Sequence, residues 1–201
     1  MDFNLLFQKI EKHFEEGLPF VLYSLPNQKM VSALLQKSPE LRTISELTTN
    51  GFVFAPFEYN DSAYFIPEND SEIVNAELSG NTIELTPVPV AENASERKTY
   101  LEKVQKTIDN IKRRRATKIV ISRPKDFPLS NFSLKQLLER LFGVYPSAFR
   151  YIWYHPQTGM WCGATPETLV RVETDSFKTM ALAGTQPFYN SEKVSWGPKE
   201  L

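Results

Sequence analysis

Two side chains in the second half of this 201-residue sequence have the makings of an acid–base pair. Lys118 lies in Thr117-Lys118-Ile119-Val120-Ile121-Ser122-Arg123. Alternation along an extended chain puts Thr117, Ile119 and Ile121 on one face and Lys118, Val120 and Ser122 on the other. Such a lysine is either a snorkelling residue at a strand edge or an amine that burial keeps neutral and able to accept a proton. Glu167 lies in Gly163-Ala164-Thr165-Pro166-Glu167. Pro166 fixes its own φ and drives Thr165 towards an extended conformation, so the carboxyl group leaves a stiff turn in a defined direction. A solvated turn carboxylate is the plain reading; a partly buried carboxyl that protonates a departing hydroxyl is the functional one. A third segment, Ala181-Leu182-Ala183-Gly184-Thr185, ends a strand pattern with a glycine, where a ligand can approach the backbone, and with a hydroxyl that can donate to a carboxylate. Strand-to-turn punctuation accounts for it equally well. None of the three decides alone.

Together they do more. Thr117–Arg123, Gly163-Ala164-Thr165-Pro166-Glu167-Thr168-Leu169-Val170-Arg171 and Met180–Thr185, in this order and at this spacing, resemble the chorismate-utilising enzymes. That family includes isochorismate, salicylate, anthranilate and aminodeoxychorismate synthases. The resemblance covers about residues 93–201 and is weaker before them. It implies chorismate as substrate, Gly184 and Thr185 as substrate-binding residues, and Mg²⁺ as a Lewis acid gripping the ring carboxylate. The branch that forms isochorismate and salicylate has lysine where Lys118 stands, whereas anthranilate synthases typically have glutamine. Aminodeoxychorismate synthases place a nucleophilic lysine where this chain has Ala183. The resemblance is therefore to the isochorismate-forming branch, with Lys118 taking a proton from water that adds at C2 and Glu167 protonating the hydroxyl that leaves C4. Salicylate synthase, which goes on to eliminate pyruvate, shares both residues. Gln186 departs from the arginine usual after the Gly-Thr pair. Lys199-Glu200-Leu201 resembles the opening of the segment that carries the first magnesium carboxylate. The metal ligands are accordingly expected beyond Leu201, and the chain is expected to be an N-terminal fragment of a longer enzyme, with little turnover of its own.

Composition is consistent with a dianionic substrate. The formal net charge is −1, with 41% apolar and 23% charged residues, a soluble globular balance. Residues 1–95 carry 14 acidic and 5 basic side chains, and residues 96–201 carry 10 and 18, so the motif-bearing half has a surplus of +8. That surplus attracts anions or simply attracts the acidic half. The cluster Lys112-Arg113-Arg114-Arg115 reads as a solvated helix end rather than a nucleic-acid site. One cysteine, Cys162, and two histidines leave no disulfide and no His- or Cys-based metal site. No apolar run approaches the roughly 18 residues of a membrane span, and no signal peptide is visible, so a cytoplasmic protein is expected. Oligomeric state is not legible.

The elements that must position these residues read as α+β: helices packed on largely antiparallel sheets, an incomplete anthranilate synthase component I-like fold. Phe3, Leu6, Phe7, Ile10 and Phe14 predict a helix stopped by Gly17 and Pro19. Strands are predicted at Phe20–Tyr23, 51–57, 63–66, near 82–85, at Ala116–Arg123 and at 148–154. A hairpin is predicted from 168–173 and 177–183. Tyr100, Val104, Ile108 and Ile111 predict a helix from about Ser95 to Arg115, capped by Asn93 or Ser95. Another helix is predicted over 133–142. Residues 67–96 read as a linker, separating an accessory region at 1–92 from the first part of a chorismate-binding region at 93–201. Trp161 and Cys162 are expected to be packing residues.

Overall fold

Short apolar runs recur along the first part of the chain, and they build sheets. The computed structural model describes residues 1–58, 62–78 and 93–182. In chain order its elements are α1 (Phe3–Glu15), β1 (Phe20–Ser24), β2 (Met30–Gln36), β3 (Arg42–Ile44), β4 (Gly51–Phe54), β5 (Ala63–Pro67), β6 (Ser71–Glu77), α2 (Ala94–Lys112), α3 (Leu134–Val144), β7 (Phe149–His155), β8 (Gly159–Thr165), β9 (Arg171–Glu173) and β10 (Ser176–Lys178). They fall into two units, one from Met1–Ile83 with Leu134–Leu201, the other Glu84–Ser133. No helix among the described residues is long and apolar enough to cross a membrane.

The larger unit has a five-stranded sheet in the order β6-β2-β1-β7-β8 and a three-stranded sheet in the order β3-β5-β4, with every pairing antiparallel. Successive residues of the central strands feed opposite layers. Phe20, Leu22, Ala33, Leu35 and Ile152 meet Phe3, Leu6 and Ile10 of α1 and Leu134, Leu138 and Phe142 of α3. Val21, Leu34 and Trp153 meet Ile66, Phe52, Phe54 and Tyr64 of the smaller sheet. The Trp153 indole stacks on Phe54 at 5.3 Å and 20°, and its Nε1–H donates to Thr158 Oγ1 at 3.1 Å. Burial on both faces is why Phe20-Val21-Leu22 is an unbroken apolar run.

The structure corrects the sequence reading at several points. Residues 71–77, read as part of a linker, form β6, hydrogen-bonded along its length to β2. This edge strand buries only Ser71, Val74 and Ala76 and leaves Ile73 exposed among polar residues, so its pattern is faint. No strand was expected at β2, β3 or β8. Residues 116–123, expected as a strand, form none and pair with no other segment among the described residues. The strand expected near 82–85 lies outside the described residues.

The smaller unit contains α2 and the chain that follows it. Asn93 caps the helix as expected, its Oδ1 accepting from Ser95 N–H at 3.0 Å and Glu96 N–H at 3.4 Å. No residue of α2 is fully buried, and Ile108 and Ile111 of its apolar stripe are exposed. Residues 93–133 hold eleven basic and four acidic side chains, which concentrates there much of the positive charge of the second half. Arg123 reaches back to α2, pairing with Glu96 at 3.6 Å and covering the Tyr100 ring at 5.6 Å.

Two buried polar side chains of β7 tie the larger unit together. Arg150 is 2% exposed and donates to Phe142 O (2.6 Å), Ser24 Oγ (2.7 Å) and Gln28 O (2.9 Å), joining the end of α3 to the β1–β2 turn. Burial draws its guanidinium below the usual value, and among the described residues no carboxylate pairs with it. Replacing Arg150 with Met strips these oxygens of their donor, and urea unfolding should show a loss of about 2–4 kcal/mol. His155, 1% exposed, accepts Gln157 N–H on Nδ1 at 3.0 Å, while Nε2 finds no partner in good hydrogen-bond geometry. Desolvation, only partly offset by the backbone of Glu40 and Pro39, holds the imidazole below its ordinary value. The unfolded imidazole, near pH 6.5, then takes up a proton that the folded one resists. Its contribution is intact above about pH 6.5 and lost as the pH falls below that. Stability measured between pH 7 and 5 should fall less steeply in His155→Gln than in the parent.

Candidate functional site

The Glu167 turn hangs from the outer strand of the larger sheet. Pairing of β7 with β8 sets Phe149 opposite Thr165, Tyr151 opposite Gly163 and Trp153 opposite Trp161. The turn between the strands closes on Gly159, whose φ of +77° suits a residue without a side chain. Gly163 is required for a different reason: a Cβ there would stand 2.8 Å from Tyr151 Cε1. The first glycine of the motif is thus a packing position beneath a tyrosine ring.

Beyond Thr165 the chain leaves the ladder, and short bonds fix its course. Thr165 Oγ1 accepts Glu167 N–H at 3.2 Å, locking the turn around Pro166. After the β9–β10 hairpin the chain returns alongside. Thr179 Oγ1 donates to Leu169 O at 2.6 Å, Met180 N–H to Thr168 O at 3.1 Å, and Leu182 N–H to Glu167 Oε1 at 3.2 Å. The hairpin expected over 168–183 is present, with its ladder confined to Arg171–Glu173 and Ser176–Lys178. Glu167 itself is exposed.

Two neighbours of the turn differ from expectation. Trp161 packs one side on Phe54 at 5.9 Å and donates Nε1–H to Thr158 O at 2.9 Å, yet it is 54% exposed. Cys162 is also exposed. Both lie on an outer strand, where the far side has no cover among the described residues.

Lys118 belongs to the smaller unit and Glu167 to the larger. Lys118 lies in the irregular chain after α2 and is exposed, as are its neighbours Ile119 and Val120. The alternation that singled it out is present in the sequence without the ladder that would give it two faces. Gly184 and Thr185, with Ala183, Gln186, Trp196 and Lys199-Glu200-Leu201, lie outside the described residues. Among the described residues no three His, Cys, Asp or Glu side chains gather where a metal ion could sit, so these residues do not fit Mg²⁺. Thr165 and the amide of Leu182 are the two groups that sequence reading missed. The Leu182 contact, made by a backbone amide, leaves no mark on residue type.

Comparison with known proteins bears on the whole chain. No curated protein and no solved structure matches it. A family model described as chorismate binding enzyme matches residues 43–195, which span β3 through the return segment and include both Lys118 and Glu167. That match takes in most of the sequence, and the chain accordingly belongs to the chorismate-binding enzymes.

Proposed function

We propose that this protein is an isochorismate synthase, with Lys118 as general base and Glu167 as general acid. The observation that carries the proposal is the pairing of a lysine at 118 with the Thr165-Pro166-Glu167 turn inside a chorismate-binding enzyme sequence. Neutral Lys118 takes a proton from water as its oxygen bonds to C2 of chorismate. The ring double bonds shift, the C4–O bond breaks, and Glu167 gives its proton to the departing hydroxyl, which leaves as water. One water enters and one leaves, so the product is an isomer of the substrate. Ala183, in place of the lysine of aminodeoxychorismate synthases, argues against an aminating reaction.

The geometry supports the acid's role in one respect: Glu167 leaves a turn that Thr165, Pro166 and the return segment hold in place. Such pre-positioning supplies much of what a general acid needs. Gly184 and Thr185 are proposed to bind substrate.

Salicylate synthase is the second reading, favoured by the same two residues, and product analysis separates them. Chromatography of the chorismate reaction of the full-length protein should show a new isomer of unchanged mass, with no pyruvate detected by lactate dehydrogenase coupling. Pyruvate in equal amount to chorismate consumed would establish the salicylate reading instead. Lys118→Ala and Glu167→Gln should each lower turnover at least about 100-fold. Full turnover by either variant would remove that residue from the mechanism.

A further inference from the structure

We propose that the backbone amide of Leu182 positions the catalytic carboxyl group, selecting which oxygen of Glu167 carries the transferable proton. The inference rests on the reading of Glu167 as the proton donor and deepens it. An exposed glutamate has three side-chain torsions, and the Pro166 turn restrains only its backbone. The carboxyl end is restrained from the other direction, where Leu182 N–H donates to Oε1 at 3.2 Å across a separation of fifteen residues. The return segment that brings this amide into place is itself fastened by Thr179 Oγ1 to Leu169 O and by Met180 N–H to Thr168 O, at 2.6 and 3.1 Å.

A neutral carboxyl group has one hydroxyl oxygen and one carbonyl oxygen, and an amide N–H bonds more strongly to the carbonyl oxygen, the better acceptor of the two. With Oε1 engaged by Leu182, the proton resides on Oε2, the oxygen left free to face a substrate. When that proton passes to the hydroxyl leaving C4, the O–H bond of Oε2 breaks and its electron pair stays on the carboxylate. Part of the resulting negative charge falls on Oε1. The amide bond becomes charge-assisted at that moment and strengthens as the transition state forms. An interaction that grows in this way acts on kcat rather than on substrate binding. The Leu182 side chain is 54% exposed and has no part in the argument.

The test exploits that separation of backbone from side chain. Leu182→Pro deletes the N–H, and Leu182→Ala keeps it. In the full-length protein with chorismate as substrate, Leu182→Pro should lower kcat about 10- to 100-fold with KM changed less than about threefold, while Leu182→Ala stays within about threefold of the parent. In a Glu167→Gln background Leu182→Pro should cost nothing further, because its effect passes through Glu167. Unchanged kcat in Leu182→Pro, or an equal loss in the Glu167→Gln background, overturns the assignment. Full activity in Leu182→Pro beside an inactive Glu167→Gln does so while leaving the donor reading standing. Full activity in Glu167→Gln removes the donor reading itself. A readout independent of turnover accompanies these: hydrogen exchange at the Leu182 amide should be protected in the parent and faster in Glu167→Ala, and equal exchange in both overturns the contact.

Discussion

The ladder between β7 and β8 is the constraint on which the site depends. β7 is held from all sides, by β1 along one edge, by α1 and α3 on one face and by the smaller sheet on the other. Its register passes to β8 residue by residue and ends at Phe149 opposite Thr165. One step beyond, the chain turns at Pro166 and presents Glu167. A one-residue slip would exchange the faces of β8, taking Gly163 from beneath the Tyr151 ring and moving the origin of the turn. Close packing around Trp153 and its indole bond to Thr158 in the β7–β8 turn resist that slip, so core stability and the placement of Glu167 are the same physical problem.

Function is distributed unequally over this scaffold. Glu167 belongs to the unit with two apolar cores and two sheets, and its surroundings are defined to the level of single hydrogen bonds. Lys118 belongs to a unit whose described residues form one helix, with no buried helical residue and a large excess of cations.

Much of this was legible in the sequence, and the failures have physical causes. α1 and α2 announce themselves by 3.6-residue periodicity, and Asn93 by its capping chemistry. β1, β4, β5 and β7 show as apolar or aromatic runs bounded by Pro, Gly or Asn. β6 was missed because an edge strand with one solvent face keeps polar residues at alternate positions. β8 was missed because Gly159, Gly163 and Ala164 give it little strand propensity of their own; its strand character comes from pairing with β7. Residues 116–123 fail in the opposite sense, since their alternation is strong but a strand exists only with a hydrogen-bonding neighbour. For the site, residue types pointed to Lys118 and Glu167, while the Leu182 amide required coordinates. The role of Gly163 could have been suspected only from its pairing with a tyrosine.

The central claim is that water, activated on one side of the ring, replaces a hydroxyl that departs from the other. Reaction of chorismate in ¹⁸O-labelled water, followed by mass spectrometry of the product, tests it without reference to any mutant. The account requires a chorismate isomer that has gained one heavy oxygen at C2. An unlabelled product, or a nitrogen-bearing one formed only with ammonia present, would contradict it.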